Sequence, residues 1–382
     1  MTYDFDRVID RSNTGSEKWG PFEDQDILPM PVADMDFSAP PEVIEALRRR
    51  VEHAVFGYAQ PTQGLVDTVV GMCRARYGWT IEPEWIVWLP GLVSGINVTC
   101  RAVGNPGDAV MTAVPVYPPF LTAPRNMKRE LVSVPLRCEG GSRWTFDWEE
   151  LERRWTSATR LFLLCQPHNP VGRVFDRAEI ERLAAFCLER NIVLCSDEIH
   201  CDLILDAIPH IPTAALSPEI AANTITLMAP SKTFNLPGLG CAFAIIPSPK
   251  LRAAFHQAKA GIVPQVGVFG YAGCEAAYAR GEPWRQELIH YLRANRDYVT
   301  SFVRDELPGV HTTPIEATYL AWLDVRDLGL KDPVNHFKEH GIALSDGRFF
   351  DGEGFVRLNF GCPRQTLQAG LRRLKAGVQA LS

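Results

Sequence analysis

Residues Leu161–His200 read LFLLCQPHNPVGRVFDRAEIERLAAFCLERNIVLCSDEIH, and this stretch decides the fold. Leu161–Cys165 is a short, unbroken apolar run, the pattern of a strand buried on both faces. Asp176 stands three residues before Glu179, a capping-box pair that opens a helix. Ile180, Leu183, Ala184, Cys187 and Leu188 then recur at helical spacing. A second apolar run, Ile192–Cys195, follows. Strand, helix and strand in this span predict parallel strands joined by a helical crossover.

Outward from this unit, Ala109–Val114, Thr224–Met228 and Ala242–Ile246 read as further strands. The segment from about 85 to 280 is therefore α/β, with a mostly parallel sheet covered on both faces. In such sheets ligands sit beyond the carboxyl ends of the strands, so polar residues just after each strand matter most. Before this region, residues 1–40 are irregular, with Pro21, Pro29, Pro31 and Pro40, and must lie on the chain's own body or on a partner. A helix is expected from Pro41, with Val43, Ile44 and Leu47 on one face. From about 283 the pattern changes. A long helix is expected over Pro283–Glu306, strands at Tyr319–Leu323, Ile342–Leu344 and Phe355–Phe360, and a last helix near Pro363. The expected division is an N-terminal arm (1–40), a large domain (41–282) and a small α+β C-terminal domain (283–382).

The 382 residues are 46% hydrophobic and 22% charged, ordinary globular usage with enough apolar surface for a large core. The net charge is −6, and the densest basic cluster, Arg48-Arg49-Arg50, reads as a solvated helix end, so nucleic acid is not an expected partner. No apolar stretch approaches the ~18–20 residues of a membrane span. Met1–Asp10 carries charges at Asp4, Asp6, Arg7 and Asp10 and has no apolar core, so no secretory leader is expected there. None of the ten cysteines forms a C-x-x-C pair; they read as reduced thiols of a cytoplasmic protein, and no metal site is expected.

Four polar segments follow predicted strands: Gln166–Gly172, Ser196–His200, Ala229–Asn235 and Phe355–Phe360. Each alone is ordinary. An Asn-Pro pair makes turns, a buried aspartate can cap a helix, and a lysine after a serine is usually exposed. Together they meet the needs of one cofactor. A lysine amine forms a Schiff base with an aldehyde. An aspartate keeps a pyridine nitrogen protonated, an asparagine amide bonds the ring's phenolic oxygen, and an arginine grips an α-carboxylate bidentately. The cofactor they suit is pyridoxal 5′-phosphate.

The order Asn169, Asp197, Lys232, Arg357 resembles the class I/II aminotransferase superfamily (fold type I). Within it the chain is similar to the MalY/PatB-type cystathionine β-lyases, or cysteine C–S lyases. The segments that carry this resemblance include Val32–Phe37, Phe56-Gly57-Tyr58, Pro167–Arg173, Ser196–His200, Pro230–Leu236, Glu316–Asp324 and Arg357–Arg364. The resemblance implies a seven-stranded, mostly parallel sheet in the large domain. It also implies a homodimer with shared active sites, with the arm crossing to the partner.

Residue by residue, the resemblance makes Lys232 the cofactor's attachment point and proton-transfer base, and Asp197 the partner of the pyridinium nitrogen. Asn169 contacts the phenolic oxygen, and His200 stands where many aminotransferases place a tyrosine for the same oxygen. Tyr117 stacks on the ring and joins Lys232 and Asp197 as a catalytic residue. Gly91, Leu92 and Val93 open a helix whose free N–H groups suit the phosphate, with Ser231 adding its hydroxyl. Tyr58 reaches the phosphate from the neighbouring subunit. Arg357 holds the substrate carboxylate, with Asn169 and Tyr117 beside it. Asp34 and Asp36 shape the rim, where Trp19 is also expected. Two positions depart from the wider superfamily: Gly240 replaces an arginine eight residues after the lysine, and Ala229 replaces a serine three before it.

The resemblance favours expulsion of a thiolate from the β-carbon of L-cystathionine or a related cysteine S-conjugate, giving a thiol such as homocysteine, pyruvate and ammonia. The residues themselves leave transamination of an amino acid open, because one lysine can perform both proton transfers. A cofactor-bearing regulatory binding protein is a further alternative, disfavoured by the intact lysine, aspartate and arginine.

Overall fold

The computed structural model describes residues 3–138 and 140–381. Helix α1 (Pro41–Glu52) starts at the expected proline. Strand β1 (Ile86–Leu89) leads through Pro90-Gly91 into α2 (Leu92–Ala102). Strands β2 (Ala109–Val114), β3 (Glu130–Arg137), β4 (Thr145–Phe146) and β5 (Thr159–Cys165) follow. Helix α3 (Arg177–Glu189) then connects to β6 (Val193–Asp197), β7 (Thr224–Met228) and β8 (Ala242–Ile245). Asp176 and Glu179 make the full reciprocal capping box on α3, which typically contributes about 1 kcal/mol.

These strands form one eight-stranded sheet in the order β1-β8-β7-β6-β5-β2-β3-β4. The run β7-β6-β5-β2-β3 is parallel throughout, while β8 and the two-residue edge strand β4 pair antiparallel. The sheet thus has the seven expected strands plus β4. Strands β2, β5 and β7 are buried on both faces, as their apolar runs require, whereas β3 near the sheet edge is half-exposed.

The C-terminal part begins with α4 (Glu282–Glu306). Strands β9 (Leu320–Asp324) and β10 (Phe355–Asn359) form the centre of a four-stranded antiparallel sheet, flanked by His311–Thr312 and Ser345–Asp346. Helix α5 (Arg364–Gln379) packs against α4.

Two expectations need correction. The arm turns back onto its own chain: Leu28–Pro29 pairs parallel with Ile342–Ala343, and Phe5 packs on Phe37, Trp284 and Tyr291. Aromatic burial against α4 holds it there. On α1, Val43 is buried but Ile44 is exposed, because the helix touches its own chain along a narrower stripe than the periodicity suggests.

Candidate active site

The carboxyl ends of β2, β5, β6 and β7 open into a cavity of about 1100 Å³. Tyr117, Asn169, Asp197, His200, Ser231, Lys232 and Arg357 all line it, as do Gly91, Leu92 and Val93. Chain direction explains the convergence. Each parallel strand ends on the same side of the sheet and releases its polar loop there.

Asn169 sits in a turn between β5 and α3 that is pinned by several contacts. The Tyr117 N–H donates to the Asn169 carbonyl at 3.1 Å. Arg173, buried, donates to Glu316 at 3.1 Å and to Glu179 at 2.5 Å, while Glu316 accepts the Val174 N–H at 2.7 Å. Gly172, at φ +69°, lies where a Cβ would meet Ile315 at 2.9 Å, so both space and backbone demand glycine.

Asp197 ends β6. It is buried and accepts the Ile199 N–H at 3.1 Å. No ion pair holds it among the described residues, and burial, then the neighbouring Glu198, push its carboxyl up to about 7. A buried carboxylate without a counter-cation is costly, so it suits a cationic group placed in the cavity. Glu198, its neighbour, faces away and is consumed by structure: it bonds Ser196 at 2.9 Å, His210 at 2.7 Å and the Thr213 N–H at 3.0 Å.

Lys232 follows β7. Its Nζ donates to the Ala33 carbonyl at 2.7 Å, the same oxygen that accepts the Tyr319 hydroxyl at 2.8 Å. Burial, then the charge of Arg357, lower its pKa to about 8, within reach of proton transfer at neutral pH. Arg357 lies on β10. It donates to Asn169 Oδ1 at 3.1 Å, the Pro31 carbonyl at 2.9 Å and Ser345 Oγ at 3.3 Å, and its buried Nε has no partner. Burial lowers it to about 10, and it stacks over Phe350 at 4.7 Å.

His200 is buried at the cavity wall, edge-on to Tyr319, and its Nδ1 lacks a partner. Burial, then Lys232 and Arg357, lower its pKa to about 3, so it is a neutral imidazole. Burial raises the Tyr117 phenol.

At the start of α2, the N–H groups of Leu92, Val93 and Ser94 precede the first helical hydrogen bond, which Gly95 makes to Gly91. Gly91 is extended and a Cβ there would meet no protein atom within 4 Å. The protein itself does not demand glycine at that point; a side chain would enter the cavity instead. This is a cradle shaped for an anion, and Ser231 faces the same space. Gly240 is left-handed at φ +61°, and a Cβ there would approach the Pro90 carbonyl to 3.2 Å. That geometry disfavours the arginine that the resemblance would place there. The residues present therefore fit a phosphorylated, cationic ring.

Not every expected residue converges. Tyr58 lies outside the cavity, fully exposed on a single chain. Trp19 stands behind the rim, donating from Nε1 to Asp36 at 2.9 Å. Asp34 and Asp36 are tied to Arg11 at 2.7 Å each, and Asp36 also to buried Lys18 at 2.6 Å.

The sequence reading gave the strap formed by residues 31–37 only a part in the rim; that it lines the cavity throughout and presents the Ala33 carbonyl to Lys232 was not anticipated. Asn235, Tyr319 and Asn359 stand within the quoted motifs, and their spacing from Lys232 and Arg357 was the available signal. Ser345 carried none.

The family model described as aminotransferase class I and II matches residues 25–374. The cystathionine beta-lyase PatB of Bacillus subtilis (strain 168) is 40% identical over 385 residues, spanning 98% of this chain and 99% of that protein. Among solved structures, OvoB is 44% identical with a TM-score of 0.96, covering 99% of this chain and 100% of its own. Cystalysin from Treponema denticola, whose crystal structure contains a pyridoxal 5′-phosphate cofactor, is 33% identical with a TM-score of 0.96, covering 100% of both chains.

Proposed function

Because this chain belongs to the aminotransferase class I and II family, we propose that it is a pyridoxal 5′-phosphate-dependent carbon–sulfur β-lyase acting on L-cystathionine or a related cysteine S-conjugate. The choice of lyase over transaminase is carried by the full-length similarity to a cystathionine β-lyase. The cavity supports the cofactor independently, through Lys232, the cation-seeking Asp197 and the anion cradle at α2.

Bound pyridoxal phosphate supplies an aldehyde for an amine and a cationic ring that accepts electrons. Lys232 would hold the aldehyde, Asp197 the ring nitrogen and Asn169 the phenolic oxygen. Tyr117 would cover the ring face, with His200 beside it. Leu92, Val93 and Ser231 would donate to the phosphate. Arg357 binds the substrate α-carboxylate, with Asn169 and Tyr117 flanking it, and this orients the α-hydrogen. With the substrate amine in its place, the freed Lys232 Nζ can take the proton from the substrate α-carbon. The β-carbon–sulfur bond breaks with its electron pair on sulfur. A thiolate leaves readily because its conjugate acid has a pKa near ~8.5. With one water, cystathionine yields homocysteine, pyruvate and ammonia.

The same reading makes the protein a cytoplasmic homodimer with shared sites. Val51 in the last turn of α1 and Val55, Phe56 and Tyr58 just after it are exposed, an apolar surface that suits a second copy. All ten cysteines are free, nine of them buried, which suits a reducing compartment. No helix among the described residues is long and apolar enough to cross a membrane. The functional division is arm 1–40, cofactor-binding 41–282 and small domain 283–382.

A coupled assay with L-cystathionine and no keto acid tests the reaction. Equal release of pyruvate, ammonia and homocysteine is expected. Amino-group transfer that appears only when a keto acid is added would instead make the protein a transaminase.

A further inference from the structure

One wall of the cavity has no role in the chemistry above. It is built by the arm, from Ile9, Asp10, Arg11 and Thr14–Glu17. Asp197, Asn169, Ser231 and the start of α2 take the cofactor side, and Arg357 takes the α-carboxylate. The substituent on the substrate's sulfur is left to lie against the arm.

The charge on that wall is uneven. Arg11 is engaged by Asp34 and Asp36, and Lys18 behind it by Asp36, so two cations and two carboxylates neutralise one another. Asp10 accepts the Ser12 N–H at 2.9 Å and its hydroxyl at 2.6 Å. Glu17 is exposed at the cavity and has no hydrogen-bond or ion-pair partner among the described residues. Its charge reaches Lys232 and Tyr117. The cations lining the cavity are Arg11, Lys232 and Arg357, and none of them is paired with Glu17.

We infer that Glu17 is a specificity-determining residue, favouring cysteine conjugates whose sulfur substituent carries a cationic group and opposing those whose substituent ends in an anion. The sulfur half of cystathionine is zwitterionic: its ammonium can meet this carboxylate while its own carboxylate turns away from it, so the preference is sharpest for substituents that carry only a cation. The inference rests on the β-lyase reading for the identity of the substituent.

The test separates the two. Calorimetric titration of the holoenzyme uses analogues in which CH2 replaces sulfur: 2,7-diaminoheptanoate (cationic end), 2-aminooctanoate (neutral, controlling for length) and 2-aminoheptanedioate (anionic end). The cationic analogue should bind about fivefold or more tightly than the anionic one, the scale of a partly exposed ion pair. Glu17→Gln should collapse that ratio towards one, and added salt should shrink it in the wild type. The pyruvate-releasing kcat/KM for the matching S-(3-aminopropyl)-, S-butyl- and S-(2-carboxyethyl)-L-cysteine should follow the same order. A ratio that Glu17→Gln leaves unchanged overturns the inference, whether or not pyruvate forms. A charge preference that depends on Glu17, without pyruvate from any conjugate, upholds the inference and removes the β-lyase reading instead.

Discussion

Asn235 and Asn359 grip one extended segment of the arm from two sides. Asn235 Nδ2 donates to the carbonyls of Met35 and Phe37, both at 2.8 Å, while its Oδ1 accepts the Met35 N–H at 2.9 Å. Asn359 Nδ2 donates to the carbonyls of Val32 at 2.7 Å and Asp34 at 2.6 Å. One asparagine lies three residues after Lys232 and the other two after Arg357. The strap has no sheet partner over this stretch, so side chains satisfy much of its backbone, while the Asp36 N–H reaches the Gly361 carbonyl at 2.9 Å. Within the Asn359 grip, between Val32 and Asp34, lies Ala33, whose carbonyl receives Lys232. The lysine and the arginine are thereby referred to one piece of backbone.

Replacing Asn235 by alanine would strip partners from three strap groups at once. Stability should fall by about 2–4 kcal/mol, the scale of buried polar groups left unsatisfied. Thermal melts of the holoenzyme would read this as a clear drop in Tm, with kcat reduced as Ala33 loses its fixed position. An unchanged Tm would show that the strap is held by other contacts.

Asp197 carries a cost in the cofactor-free protein. Its folded pKa is raised from 3.8 to about 7 by burial. The unfolded chain therefore releases this proton first, and stability is lost progressively as pH rises from about 4 to about 7. Cofactor-free Asp197→Asn should be more stable than wild type above pH 7, and the difference should fade below pH 4. The same variant should be inactive with cofactor. Melts of both proteins across this pH range check the sign; an advantage that grows towards acid would contradict it.

Arg357→Lys keeps the charge but not the fork. The lysine cannot bond Asn169, the Pro31 carbonyl and a carboxylate together. We expect kcat/KM to fall about 100-fold, with KM rising, because bidentate pairing both binds and orients. Steady-state kinetics should show little change in cofactor absorbance; a loss confined to cofactor binding would move Arg357 away from the substrate.

Shared sites predict complementation. Lys232→Ala and Tyr58→Ala homodimers should each be impaired, the first wholly. Coexpressed, they form mixed dimers in which one site keeps both residues, so activity should recover to about one quarter of wild type. No recovery in verified mixed dimers would place Tyr58 outside the partner's site.

Much of this was legible in the sequence because parallel strands advertise themselves as unbroken apolar runs. Ala109–Val114 and Thr224–Met228 match their predicted bounds to the residue. The polar residues that follow such strands are forced to one side of the sheet, which is why Asn169, Asp197 and Lys232 could be grouped before any coordinates. Other elements left weaker traces. Strand β3 carries Pro135 and an alternating, half-exposed pattern, a signature shared with loops and edges. Strand β4 has two residues and exists only through its neighbour. The strap's role depends on long-range bonds to Asn235, Tyr319 and Asn359, across roughly 200 to 330 positions of chain, which no local periodicity encodes.

Whether Lys232 holds the cofactor is read most directly by borohydride reduction of the holoenzyme, followed by proteolysis and peptide mass mapping. Reduction should leave the phosphopyridoxyl mass on the peptide containing Lys232, and Lys232→Ala should lose both that mass and pyruvate release from L-cystathionine while keeping its fold. The mass on any other lysine, or a Lys232→Ala protein that still releases pyruvate at the wild-type rate, would contradict the site described here.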